Sequence, residues 1–275
     1  MGLFRRKGFK KPKLKNSENN HISSRAEYLL NEKTPFNVTE AFRNLKASIS
    51  VSVPKKDGGL AIMFTSAFPE DGKTTVTVNL ALMFALSDAK VLLIDGDIRK
   101  GRVAKYFNAK TAPGLCDYLS GQKTLDEIVH VSNVNENLSF MTCGTRSPKP
   151  YELLESEEMK DLLKKLRAEY DYIIIDTPPI LLLSDALALS PSVDGAVLVC
   201  RHQVSYISNI ERALDNLRFS KVNILGVIIN DYKATRMDTY GSYQNYEYKK
   251  YYYSAYAYSM IEPLDKDDEP TQNEK

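Results

Sequence analysis

Cysteine is scarce in this chain. Cys116, Cys143 and Cys200 are odd in number and widely scattered through 275 residues. No pair has metal-ligand or redox spacing, so unpaired thiols in a reducing cytoplasm are expected. Long apolar runs are also missing. None approaches the roughly 18 residues that a membrane-spanning helix needs. The basic start is not followed by an apolar segment, which argues against a secretory signal. Gly2 is present, but Arg6 stands where an N-myristoylation signal carries Ser or Thr. These absences leave a cytoplasmic chain, or one recruited to the inner face of the membrane by something else.

What is there is ordinary in bulk and uneven in detail. A chain with 43% apolar and 26% charged residues can build a sizeable globular core. The net charge of +2 hides an asymmetry. The first fifteen residues carry Arg5, Arg6, Lys7, Lys10, Lys11, Lys13 and Lys15 and no acid, whereas the last fourteen carry six acids against two lysines. Both ends read as solvated. The expected organisation is a basic flexible arm over 1–35, a core domain over 36–235 and a flexible tail over 236–275. The bland reading of the arm is a flexible solvated segment; the sharper one is attraction to anionic lipid headgroups, worth about 1 kcal/mol per basic residue near such a surface.

Between the ends, periodicity separates helices from strands. Ala41, Phe42, Leu45 and Ile49 predict a helix over 39–51, and Pro54 with Asp57-Gly58-Gly59 breaks the chain after it. From Leu60 on, short apolar runs alternate with helical segments. Strands are predicted at 60–65, 91–94, 137–142, 172–175, 195–200 and 223–230. Helices are predicted at 73–87, 151–168 and 207–218. Nearly continuous apolar strands alternating with helices predict an α/β fold, a parallel sheet covered on both faces.

The first strand runs into SAFPEDGKTT and then a helix. Strand, loop and helix is the setting of a phosphate-binding P-loop. Pro69, Glu70, Asp71, Gly72, Lys73, Thr74 and Thr75 would cradle polyphosphate with backbone N–H groups at a helix N-terminus. Lys73 can reach the terminal phosphates, and the Thr74 hydroxyl can ligate Mg²⁺. The motif deviates: Ala67 occupies the first glycine position, and Glu70 and Asp71 put two acids in the loop. Their side chains are expected to point outward while the backbone binds.

Two further strand ends carry carboxylates, VLLIDGDIRKG with Asp95 and Asp97, and YIIIDTPP with Asp176. Ligands of open α/β sheets sit beyond those ends. Three acids there point to Mg²⁺ coordination and to a base, although sequence does not say which Asp is the base. The bland alternative is that strand-end acids only cap turns. The last unusual feature is YGSYQNYEYKKYYYSAYAYS. Nine tyrosines, at 240, 243, 246, 248, 251, 252, 253, 256 and 258, fall within nineteen residues.

In this order, the three motifs and the tail resemble the bacterial tyrosine kinases (BY-kinases) of the deviant P-loop NTPase superfamily. The likeness to the cytosolic subunits of capsule and exopolysaccharide systems covers roughly residues 35–260. It implies an ATP- and Mg²⁺-dependent kinase. Its main substrate would be the tail of a neighbouring copy, at Tyr240, Tyr243, Tyr246, Tyr248, Tyr251, Tyr252, Tyr253, Tyr256 and Tyr258. By the same resemblance Asp95 lies near the attacking hydroxyl, and Asp97, Asp176 and Thr74 lie at the metal. Asn230 matches a position near adenine, and GTRSPKPYELL matches a loop near the nucleotide. Glu40, Arg43 and Lys46 match a self-association motif, with Lys46 lacking the guanidinium fork of the usual arginine. The implied partners are a transmembrane adaptor, further copies in a ring and a tyrosine phosphatase. The family loop has a glycine where Glu70 stands.

Two competing readings remain. A partitioning or cell-division ATPase of the same superfamily would use water as nucleophile and a dimer switch as output. Those proteins carry an early second lysine in the loop; here the position is Phe68. A non-enzymatic module would use nucleotide only to hold its fold. Nucleic acid is an unfavoured partner, because the tail has only Lys249 and Lys250 as bases and an acidic terminus follows.

Overall fold

A computed structural model of the chain describes residues 24–53 and 58–232. The apolar alternation builds a seven-stranded sheet in the order β3-β4-β2-β5-β1-β6-β7. Its strands are β1 (Leu60–Ser66), β2 (Val91–Asp95), β3 (Val129–Val131), β4 (Leu138–Met141), β5 (Tyr172–Asp176), β6 (Gly195–Arg201) and β7 (Ile224–Asn230). All neighbouring pairs are parallel except β3–β4. The antiparallel β3, short and half-exposed, was missed by the sequence reading. Its VHV offers too little apolar pattern to register as a strand.

Period-two burial sends successive side chains to opposite faces. Ala61, Met63, Leu92, Ile94, Ile173, Ile175, Ala196 and Leu198 join one core, and Ile62, Phe64, Leu93, Ile174, Val197 and Val199 join the other. The first face is covered by α4 (Leu115–Leu119), α5 (Pro150–Glu155), α6 (Glu157–Leu166), α7 (Asp185–Leu189) and α8 (Ile207–Phe219). The second is covered by α1 (Phe36–Ser52), α2 (Lys73–Ala85) and α3 (Val103–Tyr106). Each fully buried Ile or Leu here stabilises by about 1.5–3 kcal/mol relative to exposure.

The helix predicted over 151–168 is two helices. Ser156 breaks it in an extended conformation, ending α5 and capping α6 through its hydroxyl, which accepts from Met159 N at 3.2 Å. Buried Met159, Leu162, Leu163 and Leu166 then place the stripe of α6 on the sheet. The helix predicted over 39–51 begins earlier, at Phe36, directly after Pro35. Pro35 pre-sets the entry into that helix.

The inner end of the expected flexible arm differs from that expectation. Residues 25–30 lie against the second face: Leu29 is buried, and Arg25 N donates to Lys105 O at 3.0 Å. The anchor is buried Asn79 of α2. Its Oδ1 accepts from Leu30 N at 2.8 Å, and its Nδ2 donates to Tyr28 O at 2.8 Å and to Thr75 O at 3.0 Å. Residues 1–23, the rest of that arm, lie outside the described residues, as does the tail beyond 232. Among the described residues no helix is long and apolar enough to cross a membrane.

Asn79→Ala removes three hydrogen bonds and leaves buried backbone groups unpaired. It should lower unfolding free energy by about 1–3 kcal/mol and open Arg25 and Lys33 to limited trypsin digestion. Unchanged melting and digestion would show that other contacts hold the segment.

Candidate active site

The carboxyl ends of β1, β2, β5, β6 and β7 gather the polar residues, because parallel strands align their ends. Asp95 of β2 is in register with Asp176 of β5, which is in turn in register with Phe64 of β1. The loop 67–72 leaves β1 next to them and feeds α2 at Lys73.

Gly72 caps α2 in the left-handed region, φ 85°, which L side chains resist. A Cβ there would also collide with the Asn230 amide. That amide donates from Nδ2 to Asp71 O at 3.0 Å, so the residue expected near adenine is also a clamp on the loop. Glu70 stands at φ 71°. The resemblance places a glycine at this position, and a non-glycine residue there costs about 1–2 kcal/mol.

Glu70 points to solvent as expected, but Asp71 does not. It is 3% exposed. Its Oδ1 accepts from Ser205 Oγ at 2.8 Å and its Oδ2 from Phe68 N at 3.2 Å. The expectation failed because a short carboxylate can satisfy loop N–H and hydroxyl donors locally. Ser205 lies far off in sequence and gave no signal. Arg201 N in turn donates to Ser205 Oγ at 2.8 Å, and His202 N to Asn230 O at 2.9 Å. The loop is thus braced from the ends of β6 and β7.

Lys73 and Thr74 both converge on Asp176. Lys73 Nζ lies 2.5 Å from Asp176 Oδ1, and Thr74 Oγ1 donates to Oδ2 at 2.7 Å. Burial pushes the Asp176 carboxyl above its usual range, with the Lys73 charge and the hydrogen bonds from Lys73 and Thr74 opposing that shift. Asp95 is fully buried. Its Oδ2 accepts from Val103 N at 3.0 Å, and its Oδ1 has no partner, alone among the buried side-chain polar atoms of the described residues. Burial, then the nearby Asp176 charge, holds its carboxyl well above the ordinary value. Asp97 is half-buried and accepts from Lys100 N at 2.9 Å through Oδ1.

Three supports escaped the sequence reading. Arg99 grips Asp185 with two bonds, Nε–Oδ2 at 2.7 Å and a terminal nitrogen to Oδ1 at 3.0 Å. This ties the Asp97 loop to the start of α7. The hydroxyl of buried Tyr106 lies 2.6 Å from Thr75 Oγ1. Asp117 accepts from Gly114 N at 2.8 Å and Thr145 N at 3.1 Å, fixing the loop after β4. Burial raises the Asp117 carboxyl, but bonds from Thr145 and Gly114 outweigh it and hold the group low. Only the Gly-x-x-Asp capping spacing could have flagged this acid.

The donor set fits Mg²⁺ held together with phosphate oxygens. Among the described residues no three His, Cys, Asp or Glu side chains form a metal cage, and Mg²⁺ commonly takes only one or two carboxylates beside phosphate and water. The Thr74 hydroxyl, Asp176 and Asp97 would be those protein ligands. On α1, half-buried Glu40 pairs with Arg43 one turn away. Arg43 and Lys46 border a groove between α1 and α2 that includes Thr39, Met83 and Leu86. The nine tail tyrosines lie outside the described residues.

A sheet whose switch-point loop wraps a helix N-terminus, with lysine and threonine facing a strand-end aspartate, defines a P-loop nucleotide-binding protein. Residues 70–220 match the family model described as an AAA domain. The chain is 36% identical over 205 residues to the tyrosine-protein kinase YwqD of Bacillus subtilis, covering 74% of this chain and 86% of YwqD. It is 32% identical over 228 residues to the tyrosine-protein kinase Etk of Escherichia coli, covering 83% of this chain but 31% of that one. The chain thus spans about a third of the length of the longer curated relatives. The solved kinase domain of Escherichia coli ETK superposes with a TM-score of 0.66 at 32% identity, covering 72% of this chain and 78% of that one. MinD of Pyrococcus horikoshii, solved with Mg-ADP, superposes with a TM-score of 0.55 at 26% identity, over 64% and 72%. The chain belongs to the bacterial tyrosine kinase family.

Two outcomes check this geometry. Glu70→Gly relieves the left-handed residue and should raise stability by about 1 kcal/mol in denaturant unfolding. Asp95→Asn should raise the melting temperature of nucleotide-free, metal-free protein. In the parent the raised carboxyl is neutral in acid and becomes an unpaired buried charge as pH rises. The gain should therefore shrink toward pH 4 and be largest above neutrality. A constant or inverted difference would contradict the assignment.

Proposed function

We propose that this chain is a protein tyrosine kinase that transfers the γ-phosphoryl group of ATP to tyrosines 240–258 of a neighbouring copy. The observation that carries this reading is the meeting of Lys73, Thr74 and Asp176 beside the unpartnered oxygen of Asp95. The tyrosine cluster in the same chain supplies an acceptor. Relatives named as tyrosine-protein kinases support it.

In the proposed reaction the loop backbone and Lys73 hold the phosphates, and Lys73 exchanges Asp176 for them. Bound Mg²⁺ would neutralise developing charge on the phosphoryl oxygens. A tyrosine oxygen attacks the γ-phosphorus, the bond to the β-bridging oxygen breaks, and ADP leaves. The phenolic proton passes to Asp95. A free phenol has a pKa of about 10, so a carboxylate of raised proton affinity suits this role. Arg99–Asp185 and Tyr106–Thr75 keep the two loops in place. Each phosphate adds about −1.5 to −2 charges to the tail, which would repel further copies and drive subunits apart.

A relative in Klebsiella pneumoniae, 36% identical over 224 residues, is named for the cps region. This supports a role in capsular or extracellular polysaccharide synthesis. A transmembrane adaptor would recruit and activate the cytoplasmic chain, a ring of copies would use Glu40, Arg43 and Lys46, and a tyrosine phosphatase would reset it. The second reading, an ATPase switch, is favoured by the MinD likeness. It is disfavoured by Phe68 in place of the second lysine and by the tail.

Lys73→Met should reduce tail labelling from ATP by at least about 100-fold. Because it strands Asp176, its fold is checked by circular dichroism, and Asp95→Asn serves as a second inactive chain. Mixed with active protein, both should become labelled in trans. Normal self-labelling by both variants, or ATP hydrolysis without phosphotyrosine, would sink the kinase reading.

A further inference from the structure

The two loops that enclose Asp95 carry basic residues beyond those described at the site, Arg146 and Lys149 among them in the segment expected near the nucleotide. A Cβ on Gly101 would strike both Cys143 Sγ and the Asp95 carboxylate. The Asp97–Val103 loop and the loop after β4 therefore meet over that acid. In the proposed reaction an acceptor hydroxyl approaches Asp95 beside these loops. Lys100 and Arg102 stand in the first loop, Arg146 and Lys149 in the second. Lys100, Arg146 and Lys149 are exposed and Arg102 is half-buried. Among the described residues none of the four side chains is held in an ion pair. Asp185 is paired with Arg99, whereas Asp97 and Asp117 accept backbone N–H groups and keep their charge. The Glu152 charge also acts on Arg99.

The chain also supplies a complementary acidic segment. Glu262, Asp265, Asp267, Asp268 and Glu269 begin four residues after Tyr258, the last tyrosine of the cluster. Beyond the last described residue, Tyr232, the sequence continues for 43 residues. At roughly 3.3 Å per extended residue, thirty of them can reach about 100 Å.

We infer that Lys100, Arg102, Arg146 and Lys149 form an acceptor-side rim that binds the acidic terminal segment 262–269 of a second copy. The rim holds that segment while the tyrosines just before it enter the site. This rests on the kinase reading above and adds what that site recognises: tyrosines followed by acid. The attraction is between solvated charges, so it governs encounter and affinity for the acceptor, not the chemical step, and it weakens with salt.

Two measurements separate this inference from the kinase reading. In the first, a fluorescent peptide of residues 259–275, which contains no tyrosine, is titrated with the full chain by anisotropy. Arg146→Glu with Lys149→Glu should weaken binding by about tenfold or more, as should raising the salt. In the second, that double variant phosphorylates Lys73→Met acceptor chains. Its KM for acceptor should rise about tenfold and by more than its KM for ATP, since positions 146 and 149 lie in the loop expected near the nucleotide. An acceptor carrying Asp267→Lys and Asp268→Lys should restore it. Peptide binding that charge reversal leaves unchanged, or a rise confined to KM for ATP, overturns the rim while leaving the kinase reading intact. Reversal-sensitive binding without any phosphotyrosine upholds the rim and sinks the kinase reading.

Discussion

Lys73 Nζ and Asp176 Oδ1 meet at 2.5 Å with the two side chains 7% and 1% exposed. Removing either charge from water costs several kcal/mol unless it is paired and hydrogen-bonded. At Asp176 the surroundings respect that constraint, and at Asp95, whose Oδ1 has no partner, they do not. Thr74 gives Asp176 a second donor, and the sheet register brings Asp176 beside Asp95. A buried pair of this kind adds little net stability. Under the proposed reaction it is a polar arrangement that nucleotide would take over, with phosphate oxygens replacing Asp176 at Lys73.

The phosphate loop is held in place by its own acids and by distant strands. Asp71, turned inward, satisfies Phe68 N and Ser205 Oγ, and the Asn230 amide caps the Asp71 carbonyl. These bonds tie the loop to β6 and β7 and offset the cost of Glu70 in a left-handed conformation. An acid beside a phosphate site is tolerable because its charge is directed into the brace and away from the helix N-terminus.

Charge also organises the proposed traffic at the site. A basic rim around Asp95 and an acidic segment after the tyrosines attract before reaction. Phosphates accumulating on the tyrosines make that segment more anionic still, so release requires repulsion between loaded tails to exceed rim attraction. The exposed residues would thus set which segment enters, while buried Asp95, Lys73 and Asp176 would perform the transfer.

The sequence by itself determined the layer architecture, the phosphate loop and the strand-end acids. Those features depend on local periodicity and on short motifs whose residues are neighbours in the chain. It also exposed the tail as a tyrosine store and an acidic terminus, because composition needs no fold to be read. Tertiary structure alone decided which way Asp71 turns, that Asn79 straps residues 24–30 to α2, that Ser156 splits a helix, and that Arg99 closes on Asp185. Each of these depends on a partner brought close by sheet order. A side chain's hydrogen-bond partner is a matter of distance in space, and spacing along the chain does not encode it.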